Sequence, residues 1–91
     1  MIIIKTDEEI LKMKKAGEIL AGVHKEIAKM IKPGITTMDI DSFVEEYLEA
    51  RGAFPEQKGY YGYPYATCAS VNDEICHGFP REVMIKDGDI V

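Results

Sequence analysis

Tryptophan is absent from this chain, and cysteine and histidine occur only twice each. There is no paired-cysteine motif, His77 has no second histidine nearby, and His24-Lys25-Glu26 is not a zincin motif. The residues present therefore argue against a metal site built from this chain alone. Lys/Arg clusters are also missing. With a net charge of −5, that speaks against nucleic acid or an anionic membrane as a partner. No apolar run approaches a membrane span. Met1–Ile4 is apolar but too short, and lacks the basic start of a signal peptide. Two cysteines without an export signal point to reduced thiols and a cytoplasmic location.

What is present describes a soluble globular chain. Apolar residues at 46% with 30% charged do not suit disorder. The length of 91 residues fits one domain, or part of one, with a thin core. Thr6 with Glu9 three residues on has the spacing of a capping box. Ile10, Met13, Ala16, Leu20, Val23, Ile27 and Met30 then recur in steps of three and four, as one helical face. Pro33 and Gly34 end that helix. Gly17 and Gly22 each weaken it, by about 1 kcal/mol relative to alanine. A second helix starts at Thr36 or Thr37, and Asp39 completes a capping box if Thr36 is the cap. Its apolar face is Ile40, Phe43, Val44, Tyr47 and Leu48, and Gly52 suits the position after its end. Both helices read as scaffold, and His24 as a surface or boundary histidine.

After Gly52 the character changes. "AFPEQKGYYGYPYAT" has four tyrosines and no helical period, a loop that can pack over a core or line a pocket. "TCASV" and "EICHG" flank Asn72-Asp73, which tolerate left-handed turns, so a β-hairpin is expected. Ile90-Val91 reads as the opening of a further strand. In a two-residue turn, Ala69 would face Cys76 and Cys68 would face His77, side by side on one face of the sheet. Cys76 would point to the other face. A thiol beside an imidazole admits a nucleophile, but no third orienting group or oxyanion donor is identifiable. A buried cysteine also serves commonly as a small hydrophobe.

"MKKAGEIL", "IKPGITTMDID", "GYYGYP", "CASVNDEICHGFP" and "KDGDIV", in this order and spacing, resemble the type I methionine aminopeptidases of bacteria. The resemblance runs through essentially the whole chain. It implies an α+β fold, the N-terminal half of a pita-bread domain across residues 1–91, with two helices, a β-hairpin and the start of a further strand. The activity it implies is removal of the initiator methionine from nascent polypeptides. Two divalent metal ions (Co, Mn, Fe or Zn) would hold the attacking water, on ligands expected beyond Val91. By the same resemblance, His77 hydrogen-bonds the scissile peptide, and Tyr60, Tyr63 and Cys68 wall the methionine pocket. The backbone around Asn72 and Glu74 matches a monovalent cation site of some members. Cys68 is then pocket wall rather than nucleophile.

Two positions depart from the family pattern: Gln57 stands where many relatives have cysteine, and Tyr61 where many have histidine. The partner implied is a peptide or nascent-chain N-terminus, not nucleic acid or membrane. This chain alone is expected to be inactive and to self-associate through an exposed sheet edge. The competing expectations are a non-catalytic pita-bread-like binding module and, third, a cysteine hydrolase.

Overall fold

A computed structural model describes residues 1–91, and its two long elements follow the local signals. Helix α1 spans Asp7–Met30 and α2 spans Thr37–Ala50. Thr6 Oγ1 accepts from the Glu9 amide while the Glu9 carboxylate accepts from the Thr6 amide. Thr36 and Asp39 repeat this reciprocal pair at the start of α2. Each box satisfies two amides that a helix start would otherwise leave unpaired. At the end of α2 the Gly52 amide donates to Glu49 O and the Ala53 amide to Leu48 O. Gly52 takes a φ of +69°, as such a Schellman ending requires.

The two helices pack through a small core of Val23, Ile40, Val44 and Ile85, flanked by Ile27, Phe43 and Tyr47 among others. Gly22 of α1 faces the Tyr47 side chain of α2. A β-carbon there would overlap the Tyr47 hydroxyl and sit 3.3 Å from its ring carbon Cζ. The propensity that α1 loses at this glycine is thus set against a tyrosine seated on its backbone. The Arg51 guanidinium stacks over that ring, 3.4 Å from its centroid.

The apolar face of α1 is continuous in sequence but only partly covered. Val23 is buried, whereas Ile10, Met13 and Leu20 each keep more than half of their surface exposed. The core lies against the C-terminal part of α1 alone. No helix is long and apolar enough to cross a membrane.

The expected hairpin and further strand do not form. No residue lies in a β-strand, and the sole bridge is an isolated antiparallel one between Thr36 and Met84. The Asn72-Asp73 turn itself is present, with the Glu74 amide donating to Val71 O at 3.1 Å and Asn72 at φ +55°. The ladder fails two residues later. Cys76 and His77 both sit at φ +52°, left-handed conformations that cannot continue an extended strand. Ala69 accordingly donates its amide to Gly78 O at 2.8 Å, not to Cys76. Ile90 is likewise no strand residue: its carbonyl accepts from the Asn72 amide, and its amide donates to Asn72 Oδ1.

The segment that follows is clamped to the start of α2. Thr37 Oγ1 accepts from the Arg81 amide at 2.9 Å and donates to Arg81 O at 3.3 Å. Gly34 and Ile35 exchange backbone bonds with Ile85. Pro80 and Thr37 are both fully buried at this junction.

Candidate functional site

A cavity of about 430 Å³ opens where the tyrosine-rich loop meets the segment around His77. Tyr60, Tyr63, Cys68 and His77 all line it. The chain therefore gathers four of the residues singled out in the sequence, although by a different route from the one expected. The observed pairing of Ala69 with Gly78 is shifted by two residues from the Ala69–Cys76 register. His77 nevertheless lines the same cavity as Cys68, and Cys76 does not. Both cysteines are free thiols.

Gly59, at φ +88°, leads into a single 3₁₀ turn at Tyr60–Gly62 that throws the tyrosines to the cavity side. The Tyr63 ring stands edge-on to Tyr65 at 5.8 Å and to Phe79 at 5.0 Å between centroids. Edge-to-face contacts of this kind hold aromatic rings in a defined orientation. The Tyr63 hydroxyl donates to Thr67 O at 2.7 Å. Partial burial, a hydrogen bond to Cys68 and the charge of Asp41 push its phenol above the ordinary tyrosine range. Tyr63 is therefore a neutral, fixed wall. Cys68, Tyr60 and His77 are exposed at the cavity surface.

Phe79 also lines the cavity and was not singled out from sequence. The left-handed backbone at His77 breaks strand alternation, so no spacing in the sequence pairs the two. A second omission is Asp41, which is buried on α2 with 4% of its surface exposed. It stands three residues before Val44 and seven before Leu48, on the buried stripe, where an unpaired carboxylate would be costly. Gln57 and Tyr61, the two departures from the family pattern, stand on the cavity wall as well.

Asn72 and Glu74 do not join this cavity. They lie at the turn, where the Glu74 carboxylate accepts from the Val71 amide at 2.8 Å and from Arg81 at 2.9 Å. Asn72 donates to Asp89, whose carboxyl is held below its ordinary pKa by that bond and by the Lys86 amide. Nowhere do three or more His, Cys, Asp or Glu side chains come together as metal ligands would.

The model of metallopeptidase family M24 matches residues 11–91. The chain belongs to that family. The M24 chain described here is 46% identical over 91 residues to methionine aminopeptidase 1 of Bacillus subtilis, covering all of this chain and 37% of that protein. It is 47% identical over 88 residues to methionine aminopeptidase 2 of Mycobacterium tuberculosis, covering 97% of this chain and 31% of that one. The crystal structure of methionine aminopeptidase from Thermotoga maritima superposes with a TM-score of 0.94 at 48% identity, over 98% of this chain and 36% of that one. The chain thus spans about a third of the length of the curated relatives it matches. M24 membership implies divalent metal use, yet the residues of this chain assemble no group that could hold such ions.

Proposed function

We propose that residues 1–91 are the N-terminal part of a methionine aminopeptidase, supplying its methionine pocket and a histidine that contacts the scissile peptide. One observation carries the reading. In a chain of M24 lineage, an aromatic wall, a thiol and an imidazole converge on one small cavity. The methionine side chain is unbranched and polarizable, and it packs well against ring edges and sulfur. Tyr60, Tyr63 and Cys68 would hold it, with His77 beside the peptide carbonyl. A histidine placed there can hydrogen-bond the amide and strengthen that bond as the carbonyl becomes tetrahedral.

The divalent ions would sit on ligands outside these residues. The backbone around Asn72 and Glu74 would serve a monovalent cation. Removing methionine from nascent chains would place the protein in the cytoplasm. Chain 1–91 alone would supply pocket and histidine but no turnover.

The test is hydrolysis of a Met-Ala-Ser peptide by the complete gene product. Free methionine should appear, stop on chelation, return on adding Mn²⁺ or Co²⁺, and survive thiol alkylation with at most weaker binding. Activity indifferent to chelator but abolished by alkylation would instead make Cys68 or Cys76 a nucleophile.

A further inference from the structure

Asp41 is a buried carboxylate that the proposed chemistry does not use. Its Oδ1 accepts two hydrogen bonds from one residue, the Thr67 amide at 2.7 Å and the Thr67 hydroxyl at 2.6 Å. Thr67 in turn offers its carbonyl to the Tyr63 hydroxyl at 2.7 Å and is followed directly by Cys68. Three links thus run from the core helix to the cavity: Asp41 to Thr67, Thr67 to Tyr63 through space, and Thr67 to Cys68 through the chain.

We propose that Asp41 is the positioning residue for the pocket, fixing the Tyr63–Cys68 wall at one width through Thr67. The inference rests on the aminopeptidase reading given above, and deepens it by naming what sets side-chain selectivity.

The physical case is one of rigidity. The segment from Ala53 to Ala69 contains no regular element beyond one 3₁₀ turn, so its own backbone does little to hold the wall. Ala66 and Ala69 are buried, but neither side chain is long enough to define an orientation. A charged acceptor gives shorter and stronger bonds than a neutral one. Here both bonds end on α2, whose start is capped and whose Ile40 and Val44 sit in the core. The loop is therefore tied to the most rigid element available, at the residue between its two wall side chains. Tyr63 gains a second constraint from the edges of Tyr65 and Phe79. Without the Thr67 carbonyl in place, its hydroxyl would lose the bond that fixes the ring's height in the cavity.

A pocket wall held at one width discriminates between side chains of similar size, because a mismatch must either leave a gap or move the wall. A loose wall accommodates both. Asp41 should therefore govern selectivity and KM more than kcat.

The experiment uses the complete gene product with Met-Ala-Ser and Leu-Ala-Ser peptides. Asp41→Ala should lower the Met/Leu ratio of kcat/KM by at least about tenfold, chiefly through KM for the methionine peptide, with kcat within about threefold. Asp41→Asn keeps an acceptor oxygen and should restore most of the ratio. Tyr63→Phe should lower it too, and Asp41→Ala should then cost less than it does alone, because the two share the Thr67–Tyr63 link. An unchanged ratio, or additive losses in the double variant, would overturn the proposal. If Asp41→Ala does not fold, Thr67→Val keeps the amide bond and loses the hydroxyl bond, and should show the same effect in weaker form. NMR of ¹³C-labelled tyrosine supplies a readout independent of turnover: the Tyr63 ring signal should broaden or split in Thr67→Val and in Asp41→Ala. If wild type releases no methionine, the aminopeptidase reading fails while this signal still decides the role of Asp41. A Tyr63 signal unchanged in both variants would sink it.

Discussion

His77→Ala in the complete enzyme should lose about 10²–10³ in kcat, the usual effect of removing one preorganised contact to a developing tetrahedral centre. Its melting temperature and metal content should stay near wild type. The separation is expected because the ring is exposed at the cavity and contributes nothing to the core. The backbone at 77 holds a φ of +52°, which histidine adopts more readily than alanine, so the variant gains at most a small strain. Cys68→Ala on the same cavity is the control. As a change of wall, it should weaken methionine-peptide binding while leaving kcat within roughly tenfold. Steady-state kinetics with both variants and calorimetry of each would check the pair. Near-normal kcat in His77→Ala, or turnover abolished by Cys68→Ala alone, would reverse the two roles.

Gly78→Ala should be more damaging than the histidine change, and for a different reason. A β-carbon at 78 would overlap the Ala69 carbonyl oxygen and lie 2.8 Å from Ser70 Cα and 2.9 Å from Ser70 Oγ. Two of those three atoms belong to the backbone and cannot swing aside. Relief requires the segments to separate, breaking the Ala69–Gly78 backbone bond and the bond from the Gly78 amide to Ser70 Oγ. Overpacking of this kind costs about 1–3 kcal/mol, and each lost hydrogen bond about 1 more. The expected result is a Tm lowered by several degrees together with loss of activity at least as large as for His77→Ala, since residue 77 is carried on the displaced segment. Ser70→Ala, which removes only the hydroxyl, should be mild. A Gly78→Ala protein with wild-type stability and kinetics would show that this close approach does not hold the cavity together.

The parts of the structure that were legible in the sequence are those decided within a few residues. Thr6 with Glu9, and Thr36 with Asp39, encode helix starts because both partners lie within one turn. Gly52 encodes a helix end because few other residues take its φ so cheaply. The hairpin shows where such signals stop. Asn72-Asp73 did encode a turn, but Cys76 and His77 carry no sequence mark of a left-handed backbone. Neither is glycine or asparagine, and the close approach of Gly78 to Ala69 and Ser70 exists only in the folded chain. Cys68 and His77 still line one cavity, although no strand ladder sets their register.

The site was legible only in part for a similar reason. Tyr60, Tyr63, Cys68 and His77 could be grouped by family resemblance, and they do share a cavity. Asp41 could not be grouped with them by spacing, since its partner Thr67 lies 26 residues away and meets it only in the folded chain. The uncovered face of α1 marks the opposite limit. Its periodicity predicted burial of Ile10, Met13 and Leu20, yet each keeps more than half of its surface exposed.

The central claim, that this cavity receives the methionine side chain with His77 at its peptide end, is tested most directly by a crystal structure of the complete gene product with bound L-methionine. The thioether should lie in van der Waals contact with Tyr63 and Cys68, about 4 Å away. The His77 imidazole should reach the methionine carboxyl within about 3 Å. Methionine seated elsewhere, with this cavity filled only by solvent, would contradict the account.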